Sequence, residues 1–75
     1  MKNYKPVNHR EVAKDISRII IEGTEKVKGF LTLEDIRKSV KMATGVLQAL
    51  RIETERKEKA ALIRELESMY PTIIG

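Results

Sequence analysis

Basic side chains recur at a four-residue spacing in the first third of the sequence, and phosphate binding is the chemistry that such a pattern favours. Residues four apart lie on one row of a helix, and a hairpin of two helices would join that row to the basic residues that follow. The candidate residues for nucleic-acid contact are Arg10, Lys14, Arg18, Lys26, Lys28, Arg37 and Lys41. Three aromatic residues are too few for a base-stacking platform, so contact with the phosphate backbone is the form of binding expected. Acidic residues are interspersed among the basic ones, which leaves an ordinary mixed, solvated surface as the alternative.

No pattern of residues indicates catalysis. The sequence has no Cys, so a thiol nucleophile, a disulfide and a thiolate metal site are all excluded. His9 is expected to be a solvated residue in the first turn of a helix, and Glu65 and Glu67 do not share a helix face on which to act as an acid–base pair. The segment GTEKVKG at 23–29 lacks the Lys-Ser/Thr ending of a phosphate-binding loop. We therefore expect no enzyme activity, no metal site and no cofactor.

Length and composition limit what the chain can do alone. Its 75 residues make one domain, and a chain this short buries only about 60% of its unfolded surface. Without disulfides or metal, oligomerisation is the remaining common reinforcement of the core. No apolar run approaches the roughly 18–20 residues of a membrane span, so we expect a soluble, cytoplasmic protein with no membrane contact. The net charge of +4 is compatible with either solubility or phosphate binding.

The first predicted helix runs from 9 to 22. Asn8 is its expected N-cap, and Glu11 three residues later completes the sequence pattern of a capping box. Gly23 supplies the expected helix stop. Residues 1–7 form a flexible arm in this interpretation, and 23–32 form the connection to the next helix.

The second helix has the clearest start signal in the chain. Thr32 is the expected N-cap with Asp35 at the third helical position, and Leu31 and Ile36 fit a hydrophobic staple. From Leu33 the apolar residues step by three and four. They are Leu33, Ile36, Val40, Ala43, Leu47 and Leu50. This stripe is typical of a coiled-coil seam or of an ordinary bundle helix.

The polar stretch LRIETERKEKAAL at 50–62 decides the architecture. No Gly, Pro or Asn lies between Val46 and Tyr70, and two acid-first pairs of opposite charge at i,i+4 support a helix. This favours one long or bent helix over 33–69, ended by Pro71 and followed by a tail at 71–75. A turn near 56–59, giving a three-helix bundle, is the alternative.

A long second helix would leave apolar surface uncovered. It would reach roughly 55 Å, whereas a first helix of 9–22 spans only about 20 Å. A second apolar stripe also begins at Ile63, out of phase with the first. A second subunit is the simplest cover, so a homo-oligomer, with a dimer favoured, is predicted. The candidate interface residues are Leu47, Leu50, Ile63, Leu66, Tyr70 and Ile73.

The order Gly29–Arg37, GFLTLEDIR, followed by VLQALRIETERKEKAAL at 46–62, resembles helical oligomerisation segments of small terminase subunits in tailed bacteriophages. In that family short helices assemble rings that engage viral DNA during packaging. The resemblance covers about half of the chain. It implies an assembly role in a phage or mobile element, and it assigns no site residue. The separate DNA-binding head that those subunits usually carry is absent from this sequence.

Together these observations predict an all-α domain that acts as a non-catalytic interaction and oligomerisation module. Two other functions remain open at this point. One is a nucleic-acid-associated protein that binds the phosphate backbone, and the other is a small inhibitor or adaptor that docks on a larger protein machine.

Overall fold

The described part of the chain contains three helices and two very short strands. A computed structural model describes residues 8–71 and 73–74. In chain order the elements are α1 (His9–Lys28), β1 (Leu31–Thr32), α2 (Leu33–Ala49), α3 (Arg56–Met69) and β2 (Ile73–Ile74). The prediction of a small all-α fold is confirmed. The predicted flexible arm at 1–7 lies outside the described residues.

Helix α1 is longer than the predicted 9–22. Asn8 caps it as expected, because its Oδ1 accepts from the backbone N–H groups of Arg10 and Glu11 at 3.1 and 3.3 Å. The predicted stop at Gly23 was wrong, since the helix continues to Lys28 and ends at Gly29, which has a φ of 84°. A glycine inside a helix costs only about 1 kcal/mol, and Lys28 in the added turn forms an ion pair with Asp35 of α2 at 2.8 Å. Helix α1 ends where Gly29 adopts the left-handed backbone conformation.

Helix α2 begins as predicted. Thr32 Oγ1 accepts from the Asp35 backbone N–H at 3.2 Å, and the Asp35 carboxylate accepts from the Thr32 backbone N–H at 2.9 Å. These two bonds form the expected capping box, which satisfies donors that a helix start otherwise leaves free. Leu31 and Ile36 are both fully buried in the same core. The hydrophobic staple is therefore present.

The favoured single helix over 33–69 was wrong, and the alternative turn at 56–59 was placed several residues too late. Helix α2 ends at Ala49, and residues 50–55 form the connection to α3. Arg51 donates its N–H to the Gln48 carbonyl oxygen at 2.8 Å, and Ile52 donates to the Leu47 carbonyl oxygen at 2.9 Å. This pair of bonds is a Schellman motif, which places Arg51 in the left-handed conformation with a φ of 65°.

The turn lets α3 fold back so that both apolar stripes pack on each other within one chain. The core cluster consists of Ala13, Ile21, Leu31, Ile36, Val40, Leu47, Leu62 and Leu66. The full length of α1 spans about 30 Å, so α1 covers the buried side of α2. A second chain is therefore not needed to cover the apolar residues of these two stripes.

The tail packs back on the domain. β2 pairs in parallel with β1, with Leu31 opposite Ile73 and Thr32 opposite Ile74. Ile73 also packs against the core cluster. The pairing ties the end of α3 to the start of α2.

Candidate interaction face

The basic row of α1 faces α3. Arg10 Nη2 lies 3.5 Å from Glu65 Oε1, and Lys14 Nζ lies 3.3 Å from Glu65 Oε2. Glu11 adds a second carboxylate 3.6 Å from Lys14. The hydrogen bond from Lys14 to Glu65 is the main reason that the pKa of Lys14 is raised above its ordinary value. Two of the predicted phosphate-binding residues are thus already neutralised within the chain.

Two more members of that set also have acidic partners. Arg18 Nη2 lies 3.8 Å from Glu22 Oε2. Lys28 Nζ donates to both Asp35 carboxylate oxygens, at 3.1 and 2.8 Å, and also stands 4.6 Å from the centre of the Phe30 ring. The bond to Lys28 is the main cause that lowers the pKa of Asp35.

The remaining candidates, Lys26, Arg37 and Lys41, are exposed and form no ion pair within residues 8–71 and 73–74. Arg37 and Lys41 are one helical turn apart on α2, whereas Lys26 belongs to α1. The structure therefore splits the predicted basic set. It does not bring the seven side chains together on one surface.

The residues of the predicted oligomer interface also fall into two groups, one buried within the chain and one exposed. Leu47 and Leu66 are buried within one chain, and Ile63 and Ile73 are partly buried against them. None of these four is free to form the main part of a contact with a second copy. Leu50 is different, because its side chain is largely exposed.

Tyr70, the other predicted interface residue, joins α3 to α1. Its hydroxyl donates to Glu22 Oε2 at 3.2 Å, and its ring packs against the core cluster. Burial is the main reason that its pKa is raised. Tyr70 therefore stabilises the fold of the single chain.

Exposed apolar side chains form a row along α2 that extends to Leu50, the residue at its C-cap. Met42, Val46 and Leu50 follow one another four residues apart, and they are 58%, 47% and 65% exposed. At this spacing they stand one above the other on the helix surface. Gly45 and Ala49 lie beside the row and are also exposed. This row is distinct from the buried stripe of α2.

A second exposed apolar row runs along α1. Ile19 is 72% exposed and Val27 is 87% exposed, with Gly23 between them at the same four-residue spacing. Ile19 is five residues beyond Lys14, which places it roughly 140° around the helix from the side that contacts Glu65. The row therefore lies on the side of α1 that is turned away from α3.

Helix geometry places the two rows on the same side of the α1–α2 pair. Viewed from one end of the pair, successive residues of α1 turn clockwise and those of the antiparallel α2 turn anticlockwise, or the reverse. The exposed row on α1 lies on the side opposite α3, and the exposed row on α2 lies on that same side of the pair. Because the two helices are antiparallel and joined through residues 29–32, the two rows come level with each other near Ile19 and Met42. We call this surface the hairpin face. Its residues are Ile19, Gly23, Val27, Met42, Gly45, Val46, Ala49 and Leu50.

The sequence pattern does not point to the hairpin face at first sight, for a definable reason. The apolar stripe from Leu33 to Leu50 accounted for one face of α2, and Met42 and Val46 were left outside it. A signal was present, because Met42, Val46 and Leu50 form a second apolar row that a one-sided bundle helix does not need.

The rest of the described chain offers few other kinds of site. No three His, Asp or Glu side chains form a metal-binding group within residues 8–71 and 73–74. No helix in the described ranges is long and apolar enough to cross a membrane. Comparison of the chain with protein-family models, with curated proteins and with solved structures finds no match.

Proposed function

We propose that this chain is a non-catalytic helical interaction module, and that the hairpin face is the surface through which it binds another protein surface. The observation that carries the proposal is the exposed apolar row on α2, Met42, Val46 and Leu50, beside the apolar row on α1. Large patches of exposed apolar side chains on a soluble domain are typical of binding sites for other proteins. The resemblance of 29–37 and 46–62 to phage assembly segments supports the same role.

Physical chemistry favours an apolar, helical occupant for this face. Exposed apolar side chains one helical turn apart form a ridge that can pack into the groove of another helix. Burial of methionine and branched side chains contributes about 1.5–3 kcal/mol for each one that is fully covered. If the chain is an adaptor or inhibitor of a larger protein machine, it would bind that machine through the same hairpin face.

A photoreactive amino acid at Met42 tests the proposal in cells that express the chain. The side chain at 42 is exposed, so the substitution leaves the core intact. We expect covalent protein adducts from position 42 and none from Lys57, an exposed control position on α3. Addition of Val46→Lys should abolish the adducts at 42. Equal labelling from both positions, or none from 42, would contradict the proposed role.

Lys26, Arg37 and Lys41 support a second candidate function, binding of a nucleic-acid backbone, because they are exposed and form no ion pair in the described ranges. Affinity for duplex DNA would then fall steeply with salt. Arg37→Glu should weaken such binding more than Lys14→Glu, since Lys14 already contacts Glu65. No measurable binding at about 50 mM salt would remove this candidate.

A further inference from the structure

We propose that Met42 is a site of reversible oxidation, and that its sulfoxide blocks binding through the hairpin face. The proposal rests on the interaction role given above and adds a means of regulating it. The oxidant is a peroxide, which converts the thioether of methionine into a sulfoxide. Met42 stands in the exposed row of α2, one turn after Lys38 and one turn before Val46.

Methionine supplies all of the sulphur in this chain. The sequence has three Met and no Cys, so no thiol competes with the thioethers for a peroxide. Two of the methionines lie in the described ranges, and Met42 is the more exposed of them, at 58% against 40% for Met69. Met42 is therefore the more accessible of the two to a dissolved oxidant.

The oxidation transfers one oxygen atom from hydrogen peroxide to sulphur. The thioether sulphur attacks one peroxide oxygen, and the S–O bond forms as the O–O bond breaks. The proton left on the transferred oxygen passes to the departing hydroxide, which leaves as water. Sulphur loses two electrons and the peroxide gains them. Methionine sulfoxide reductases reverse the change, with two thiols as the reductant and water as the product.

Oxidation at this position changes the surface of the folded chain without entering its core. Met42 lies outside the core cluster, and solvent already reaches most of its side chain. The sulfoxide therefore keeps its hydration in the unbound chain, and the fold is expected to persist. This property separates a regulatory site from a buried methionine, where oxidation disrupts packing.

The same sulfoxide opposes burial of the hairpin face. Its oxygen is a hydrogen-bond acceptor, and covering such a group without a donor costs free energy. Val46 and Leu50, which follow Met42 on the row, have no donor in their side chains. Lys38 precedes it and is exposed, so its use as a donor would require the partner to cover a charged group as well. Oxidised Met42 should therefore prevent a partner from covering this row.

Photo-crosslinking from position 50 in dialysed cell extract tests the proposal. Leu50 is exposed on the same row, so a photoreactive amino acid there reports on the hairpin face while Met42 stays in place. The purified chain is treated with hydrogen peroxide, which is then removed. Peptide mass spectrometry should show that Met42 is oxidised faster than Met69. The oxidised chain should lose its protein adducts, and a methionine sulfoxide reductase should restore them.

Two variants assign the loss of adducts to one sulphur atom. Met42→Leu keeps a similar apolar volume but has no thioether, so peroxide should leave its adducts unchanged. Met69→Leu is the matched control, and it should lose its adducts on oxidation as the wild type does. Circular dichroism of each oxidised chain establishes that the helices are intact.

The outcomes separate this proposal from the interaction role. Loss of adducts in the oxidised wild type, with retention in oxidised Met42→Leu, supports it. Adducts that persist after oxidation of Met42, or that disappear equally in Met42→Leu, would overturn the proposal and leave the interaction role standing. Faster oxidation of Met69, or helices that unfold on oxidation, would overturn it in the same way. An untreated chain without adducts from position 50 would contradict the interaction role and the proposal together.

Discussion

Ile52 donates its backbone N–H to the carbonyl oxygen of Leu47 at 2.9 Å, and this bond closes the C-terminus of α2. The side chain of Ile52 packs against the core cluster that contains Leu47. An apolar residue just after the turn, in contact with the last helical turn, is the usual companion of a Schellman motif. The contact holds Arg51 in a left-handed conformation and directs α3 back along the domain.

Arg51→Gly should stabilise the chain by about 0.5–1 kcal/mol, because glycine adopts a positive φ without the steric cost that a side chain brings. Arg51→Ala is the matched control, since it removes the same charge but keeps the strain. Denaturant unfolding measures both variants. Equal stability of the two would show that the left-handed conformation of residue 51 carries no cost.

Gly23→Ala should also stabilise the chain, by about 0.5–1 kcal/mol, because Gly23 lies inside α1 and a Cβ there meets nothing within 4 Å. Gly29→Ala should have the opposite effect, since Gly29 has a φ of 84° at the helix end. Thermal or denaturant unfolding at dilute concentration measures the pair. A loss of stability in Gly23→Ala would contradict the position of Gly23 inside the helix.

Acid should weaken the fold through Asp35. Lys28 and the Thr32 backbone stabilise the Asp35 carboxylate, so its pKa is lower in the folded chain than in the unfolded chain. The stabilisation is fully present above the ordinary aspartate pKa of about 3.9, and it is lost as pH falls through the lowered folded-state value. Asp35→Asn should therefore flatten the acid limb of a plot of unfolding free energy against pH.

Two further variants test whether the contact between Lys28 and Asp35 causes this acid dependence. Lys28→Met removes the largest contribution to the lowered pKa and should flatten the same limb in part. Asp15→Asn removes a carboxylate that lies outside the ion pairs of the described ranges and is the matched control. A steep acid limb that persists in Asp35→Asn would assign the dependence to other carboxylates.

Local signals in the sequence predicted the starts of α1 and α2 and the fold class. Asn8, Thr32 and Asp35 cap the helices at the predicted residues, because these contacts depend on neighbours only three positions apart. The helix end at Arg51 could not be predicted from residue type. Arginine rarely adopts a positive φ, and the conformation depends on burial of Ile52 in a core that forms only when α3 packs back.

The candidate site was less predictable than the fold. The four-residue spacing of Arg10, Lys14 and Arg18 correctly placed them on one row of α1, but which surface that row faces depends on tertiary packing. Glu65 is more than 50 residues from Lys14 in sequence. The position of α3 thus turned a predicted phosphate-binding row into an intrachain contact, and it left the opposite side of the hairpin exposed.

Photo-crosslinking from position 42, with and without Val46→Lys, tests the central claim most directly. Val46 lies in the middle of the exposed row on α2, so a charge there should prevent burial of the hairpin face without disturbing the core. Position 42 should form covalent protein adducts in the otherwise wild-type chain, and Val46→Lys should abolish them. Adducts from position 42 that persist in Val46→Lys, or no adducts from position 42 at all, would contradict the account.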